Sequence, residues 1–346
     1  MGQWADSLEA HAGEVLPEAV FRYFRQGARD GVSATEATAA WDRFRFLPRV
    51  LRDLTHVDTS TSLLGTPVRS PLGIAPTTLQ RAAHPDGELA MARAAVQAGA
   101  LMVVSSNCGS TFEDIAATGV DWWLQAYVTA DRPTSRPLLD RAVAAGAKAV
   151  VLTADTSVVG TKYDSGSTTV WDVADPDWLK VNFDRPSDEG AGDEKATDLG
   201  PHDIAWLRDV TGLPVVVKGV LRADDARRCV DAGASAIWVS NHGGRQFDYA
   251  EATADAVGDV VDEVADSVEV YVDGGVRSAR HALAAVAVGA RGVFLGRLPL
   301  YALAVAGQTG VARLLSELRD DFEESLRLTG CTGVGDCHGL LGRVAE

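Results

Sequence analysis

From residue 72 onward, short apolar runs alternate with longer stretches in which apolar residues recur at helical spacing. That alternation is the signature of βα units. The runs predict strands over residues 72–75, 101–105, 122–127, 147–153, 214–218, 234–240, 268–273 and 292–296. Between them lie ELAMARAAVQAG, RPLLDRAVAAG, ADDARRCVDAG and ARHALAAVAVG, each ending in a glycine ahead of the next strand. Glycine at that place suits a helix C-terminus. Eight strands, each followed by a helix, is the count of a closed α/β barrel of the TIM (β/α)8 type. A doubly wound sheet would carry G-x-G-x-x-G after its first strand, whereas here that strand runs into IAPTTLQ.

The pattern assigns residues 71–330 to the barrel, residues 1–70 to a helical N-terminal extension and residues 331–346 to a C-terminal tail. A long insertion after the fourth strand, residues 156–201, contains SDEGAGDEKATDLG and is expected to be a lid-like loop.

Polar residues cluster where the strands end, which in such a barrel is the catalytic face. They are Thr77 and Thr78, Ser105, Gln125 and Tyr127, Thr153 and Asp155, Lys218, Ser240 with His242 and Arg245, Asp273 with Arg277, and Gly296 with Arg297. VDGGVRS and FLGR put glycines and an arginine after the last two strands, the usual phosphate site of such barrels; the alternative is that the glycines only shape turns. VSNHGGRQFD offers an imidazole that accepts a proton near neutral pH and, three residues on, a guanidinium that grips a carboxylate. Lys218 emerges from VVVKGV and needs an anionic partner or a function, as a Schiff-base amine or as a counter-charge to a ring. Asp155 in TADT would stabilise an imidazolium or cap its loop.

Composition narrows the partners. The net charge of −16 opposes binding to phosphate backbones and anionic lipid, so neither nucleic acid nor a membrane surface is expected. No apolar run reads as a membrane span, and MGQWADSLEAHAGEVL has acidic residues where a signal peptide needs basic ones, so a cytoplasmic location is expected. Four scattered cysteines make no disulfide framework. Cys331, Cys337 and His338 have neither C-x-x-C spacing nor a fourth ligand nearby, so no metal is expected.

Taken together, SNHGGRQ, VDGGVRS, FLGR, VVVKGV, LTADT, LQAY and APTTLQ resemble the FMN-dependent α-hydroxy-acid oxidases and dehydrogenases, in order from about Leu16 to Thr329. The resemblance implies FMN as cofactor and oxidation of a small 2-hydroxy acid, or a related alcohol, to the 2-keto product. It makes His242 the base, Asp155 the stabiliser of its imidazolium, and Tyr127 the contact to the substrate hydroxyl region. Tyr23 and Arg245 would bind the substrate carboxylate. Pro76, Thr77, Thr78, Ser105, Gln125, Thr153, Lys218 and Ser240 would lie on the flavin, with Asp273, Gly275, Arg277, Gly296 and Arg297 along the ribityl chain and phosphate. Electrons would pass on to O2 or another acceptor, and a homo-oligomer of four or eight copies is implied. Three positions depart from the family pattern: Lys162 replaces a second carboxylate-binding arginine, Asn107 a large apolar residue, and Thr78 a small one. All three lie on the expected substrate side. Two other readings compete: a flavin-binding barrel with an altered pocket that acts on a non-standard substrate or as a non-catalytic partner, and a Schiff-base aldolase or isomerase using Lys218.

Overall fold

Alternate residues of a strand face opposite ways, so a closed barrel of short strands needs apolar side chains both inward and outward. The structure, a computed structural model, describes residues 4–163, 166–183 and 194–342. Its strands are β1 (Thr61–Leu63), β2 (Thr66–Val68), β3 (Leu72–Ile74), β4 (Met102–Ser105), β5 (Trp122–Ala126), β6 (Val150–Thr153), β7 (Val215–Val220), β8 (Ala236–Val239), β9 (Glu269–Val272) and β10 (Gly292–Leu295). β3 to β10 pair in parallel sequence and β10 returns to β3, which closes the expected (β/α)8 barrel. The four glycines predicted to end helices, Gly99, Gly146, Gly233 and Gly289, all sit at positive φ.

Inside the barrel, Val103, Trp123, Val151, Val216, Trp238, Tyr271 and Phe294 form one buried cluster. The rings of Trp238 and Phe294 lie 4.0 Å apart between centroids, and Trp123 and Tyr271 5.5 Å. Gly73 makes room for this layer, since a Cβ there would stand 2.5 Å from the Phe294 ring. Two residues further along the same strands come Ser105, Gln125, Thr153, Lys218, Ser240, Asp273 and Gly296. Period-two alternation therefore turns a polar layer inward directly above an apolar one. The barrel is solid below and chemically active above.

The pattern of apolar residues did not anticipate the antiparallel hairpin of β1 and β2. Its Leu63 and Val68 are buried in the inner cluster and plug the lower end of the barrel. The N-terminal extension holds helices Trp4–Val15 and Glu18–Arg25, separated at Pro17, and a third, Val32–Asp42. It is fastened to the barrel: Asp248 accepts hydrogen bonds from the backbone N–H groups of Asp30 (3.1 Å), Gly31 (3.0 Å) and Ser33 (3.0 Å). Those bonds satisfy donors at the start of the third helix that would otherwise be unpaired.

In the tail, Leu341 bridges to Phe46 and Gly333 to Asp58, so residues 331–342 lie on the extension. Helix Arg297–Thr329 is long and apolar enough to cross a membrane by length and composition, contrary to the expectation from the sequence. Most of that apolar stretch is buried inside the protein, against helices Trp4–Val15 and Gly87–Ala98, and the helix is broken at Ala306 and Gly307. Of the expected lid, residues 164–165 and 184–193 lie outside the described residues, as does the tail beyond 342.

Candidate active site

A cavity of about 540 Å3 opens above the polar layer, within the roughly 300–1,000 Å3 usual for cofactor and small-ligand sites. It is lined by Tyr23, Pro76, Thr77, Thr78, Ser105, Asn107, Gln125, Tyr127, Thr153, Lys162, Lys218, His242, Arg245, Asp273, Gly275, Arg277, Gly296 and Arg297. Of the residues singled out from the sequence, only Asp155 and Ser240 stand behind the wall, each holding a residue that forms it.

Ser240 sits at the centre of a buried relay. Lys218 Nζ donates to Ser240 Oγ at 2.7 Å, Ser240 Oγ donates to Asp273 Oδ1 at 2.6 Å, and Lys218 forms an ion pair with Asp273 at 3.1 Å. The ammonium is thus committed to a carboxylate and a hydroxyl, the opposite of the free amine that a Schiff base needs. Beside it Ser105 Oγ donates to Gln125 Oε1 (3.1 Å) and Gln125 Nε2 donates to Thr153 Oγ (3.0 Å). Ser105 on β4 is the register partner of Gln125 on β5, and Gln125 reaches diagonally to Thr153, two residues beyond its own register partner Val151 on β6.

His242 follows β8 with a φ of +58°, the left-handed region, which costs a non-glycine residue about 1–2 kcal/mol. The turn is held by its own N–H donating to Ser240 Oγ at 3.1 Å, and it aims the imidazole at the mouth. Nδ1 lies 3.1 Å from Asp155 Oδ1. A proton on Nδ1 satisfies Asp155 Oδ1 and leaves Nε2 with a lone pair toward the cavity, while Asp155 Oδ2 is buried with no hydrogen-bond partner among the described residues. Burial pushes the Asp155 carboxyl up, but the charges of His242 and Lys218 and the hydrogen bonds from His242 and Thr156 outweigh it and hold it below the usual carboxylate range. Gly219 permits this approach: β7 shifts register there, φ is +105°, and a Cβ would stand 2.6 Å from Asp155 Cβ.

Arg245 Nη1 donates to the carbonyls of Tyr23 (2.7 Å) and Gln26 (2.9 Å), with the guanidinium 4.9 Å from the centre of the Tyr23 ring. Nε and Nη2 make no protein hydrogen bond among the described residues, which leaves one edge of the fork for a carboxylate. Burial first, then the nearby charge of Asp155, pushes the Tyr127 phenol far up, so it is a hydroxyl that donates or accepts but does not ionise.

The three departing residues are occupied in ways the sequence did not disclose. Lys162 Nζ donates to the carbonyls of Gly160 (2.6 Å) and Arg245. Asn107 Nδ2 donates to Leu179 O at 3.2 Å, which ties the end of β4 to the insertion. Thr78 Oγ donates to Asn107 O at 2.7 Å. Residues of the wall that sequence reasoning passed over include Arg22, Thr156, Trp171, Leu179 and Lys195. The one signal for Lys195 was a lone cation inside an acidic run, GDEKATD.

The donor set fits FMN. Arg277 and Arg297 form no ion pair among the described residues and stand at the pole of the cavity beside Gly275 and Gly296. Burial, with added repulsion from Arg245 and Arg277, pushes the Arg297 guanidinium down to about 10. An anionic group is what relieves such a cluster, and a Cβ at Gly296 would meet nothing within 4 Å, so that side is open. The neutral strip of Ser105, Gln125 and Thr153, ending in Lys218, suits the polar edge of an isoalloxazine.

A family model described as FMN-dependent dehydrogenase matches residues 12–341. The chain is 40% identical to Glycolate oxidase 1 of Zea mays, over 97% of this chain and 95% of that protein. It is 39% identical to 2-Hydroxyacid oxidase 1 of Homo sapiens, over 95% of this chain and 93% of that protein. Among solved structures, a crystal structure of Mandelate oxidase superposes with a TM-score of 0.90 at 37% identity, covering 99% of this chain and 98% of the other.

Proposed function

The chain belongs to the FMN-dependent dehydrogenase family, and from that premise we propose that it oxidises a small 2-hydroxy acid to the 2-keto acid. The observation that carries this reading is the His242–Asp155 pair at 3.1 Å, sharing one cavity mouth with the open edge of Arg245. When bound, FMN supplies two-electron acceptance from the carbinol carbon and passes the electrons to O2 or another acceptor.

The protein does the rest. Arg245, with Tyr23 beside it, fixes the carboxylate and so orients the carbinol. His242 Nε2 takes the proton, and Asp155 offsets the positive charge that the imidazole then carries. Tyr127 hydrogen-bonds the substrate oxygen without ionising. Lys218, held by Asp273 and Ser240, places a fixed cation where negative charge gathers on the cofactor side. The insertion covers the mouth through Trp171 and Leu179.

The test is anaerobic mixing of the purified yellow protein with a panel of 2-hydroxy acids and related alcohols. Loss of the visible flavin bands on addition of at least one 2-hydroxy acid is expected. A protein that binds FMN and is bleached by none of them is not a 2-hydroxy-acid oxidase. A cytoplasmic location and an assembly of four or eight copies belong to the same proposal. Four free thiols support the first, and sedimentation velocity tests the second.

A further inference from the structure

One carboxylate clamp meets the needs of the proposed reaction, yet the substrate half of the cavity holds more positive charge than that clamp uses. Among the described residues its charged wall side chains are Arg22, which is ion-paired with Glu18, Lys162, which donates to the carbonyls of Gly160 and Arg245, and then Lys195 and Arg245; the carboxylate that lines the cavity there, Asp273, is on the cofactor side and bound to Lys218.

Lys195 is placed there by backbone. It forms an antiparallel bridge with Thr129. Ala130 N donates to Glu194 O at 2.7 Å, and Ala196 N donates to Val128 O at 2.8 Å. These bonds, one on either side, fasten the returning arm of the insertion to the exit of β5, the strand that leads into Tyr127. The Lys195 ammonium stands 3.6 Å from the centre of the Tyr127 ring. Tyr127 in turn feels Asp155, Tyr23 and Arg245, which puts the ammonium beside the reacting corner.

Lys195 forms no ion pair with a carboxylate among the described residues. The acid whose field reaches it, Asp155, holds His242 through Oδ1 and makes no ion pair with Lys195 among the described residues. A partly buried cation without a counter-ion is costly, and burial accordingly lowers the Lys195 pKa. The ring face alone compensates weakly. An anion arriving with the ligand removes the cost.

We infer that Lys195 is a specificity residue that receives a second anionic group, so that the preferred substrates are 2-hydroxy acids with a further carboxylate on the side chain. This rests on the reading of the protein as a 2-hydroxy-acid oxidase and names the substrate class for it.

The experiment compares anaerobic flavin reduction of the FMN-loaded enzyme by glycolate and lactate with reduction by malate and 2-hydroxyglutarate, the three chiral acids each as both enantiomers. Dicarboxylates are expected to show kcat/KM roughly ten- to a hundredfold above the monocarboxylates, the worth of one charge-assisted contact. Lys195→Met should erase most of that ratio, chiefly through KM, while Lys195→Arg should retain it. The flavin spectrum of each variant checks folding. Titration with a dicarboxylic 2-keto acid, followed by perturbation of that spectrum, gives the same ranking without turnover. Monocarboxylates reacting as well as dicarboxylates overturn the inference, as does a Lys195→Met variant with an unchanged ratio, which would reduce Lys195 to a lid for the Tyr127 ring. If no acid of either class bleaches the flavin, the oxidase reading itself has failed.

Discussion

The cofactor half and the substrate half of the cavity are made by different parts of the chain. The cofactor half consists of barrel strand ends, each polar residue two positions beyond an inward apolar one: Trp123 then Gln125, Val216 then Lys218, Tyr271 then Asp273. The substrate half is lent by elements outside the barrel: Arg22 and Tyr23 from the N-terminal extension, Lys162, Trp171 and Lys195 from the insertion, and Arg245 from the loop after β8. A change in the first half disturbs a layer packed directly on the barrel core. A change in the second alters a side chain whose backbone is held elsewhere. Substrate choice can therefore shift while cofactor binding stays put; of the three departures from the family pattern, Lys162 comes from the insertion, while Thr78 and Asn107 follow barrel strands β3 and β4.

The largest expected effect falls where the halves meet. His242→Ala should lower the rate of flavin reduction by roughly a hundredfold to ten-thousandfold, the range for loss of a general base. FMN should remain bound, because no cofactor-side hydrogen bond runs through the imidazole. A variant that loses FMN along with activity would erase the boundary drawn between the halves. One that turns over like the parent would mean that the base lies elsewhere.

The next effect tests the cofactor half alone. Arg297→Ala should weaken FMN binding by roughly ten- to a hundredfold, one charge-assisted contact to an anion. Fluorescence titration of the apoprotein with FMN measures it, and substrate preference in the FMN-saturated variant should not move. An unaltered FMN affinity would place the phosphate away from the pole formed by Arg277 and Arg297. Arg297 also donates to the carbonyls of Phe24 (3.0 Å) and Gln26 (3.2 Å), so some loss of thermal stability should accompany the variant.

How far each half could be read from the sequence follows from the same division. The polar layer was legible because period-two alternation in a strand fixes which residues face inward, and a lysine at the end of a valine run can hardly hide. SNHGGRQ was legible because its glycines and left-handed turn expose two functional groups at a fixed spacing. The hairpin of β1 and β2 was not, since strands of three residues carry too little pattern. Lys195 was lost in an acidic stretch that reads as solvated, and only its backbone bridge to Thr129 brings it to the cavity. For Asn107 and Lys162 the sequence disclosed the altered residue but not the partner. The bonds of Asn107 to Leu179 O and of Lys162 to Arg245 O join chain segments far apart in sequence.

The smallest effect probes the substrate half through pH. Burial, then repulsion from Arg245, pushes Lys162 down to about 8. Below that pH it is an ammonium, and above it a neutral amine. A bound carboxylate favours the charged form, so KM for a 2-hydroxy acid should rise by about three- to tenfold between roughly pH 7 and pH 9, with a smaller change in kcat. Lys162→Arg keeps its charge across that range and adds a planar fork, so the alkaline rise should flatten and simple 2-hydroxy acids should be used better. Folding responds with the opposite sign. Because the folded-state pKa lies below the unfolded one, the unfolded chain binds more protons between them, and stability should increase as pH climbs from about 8 toward about 10. Lys162→Met should abolish that increase. Two trends of opposite sign from one side chain are hard to produce by general alkaline damage, which would weaken binding and folding together. A KM profile that is flat through pH 8, or identical in the arginine variant, would show that Lys162 does not stand in for the missing arginine and that Arg245 holds the carboxylate without it.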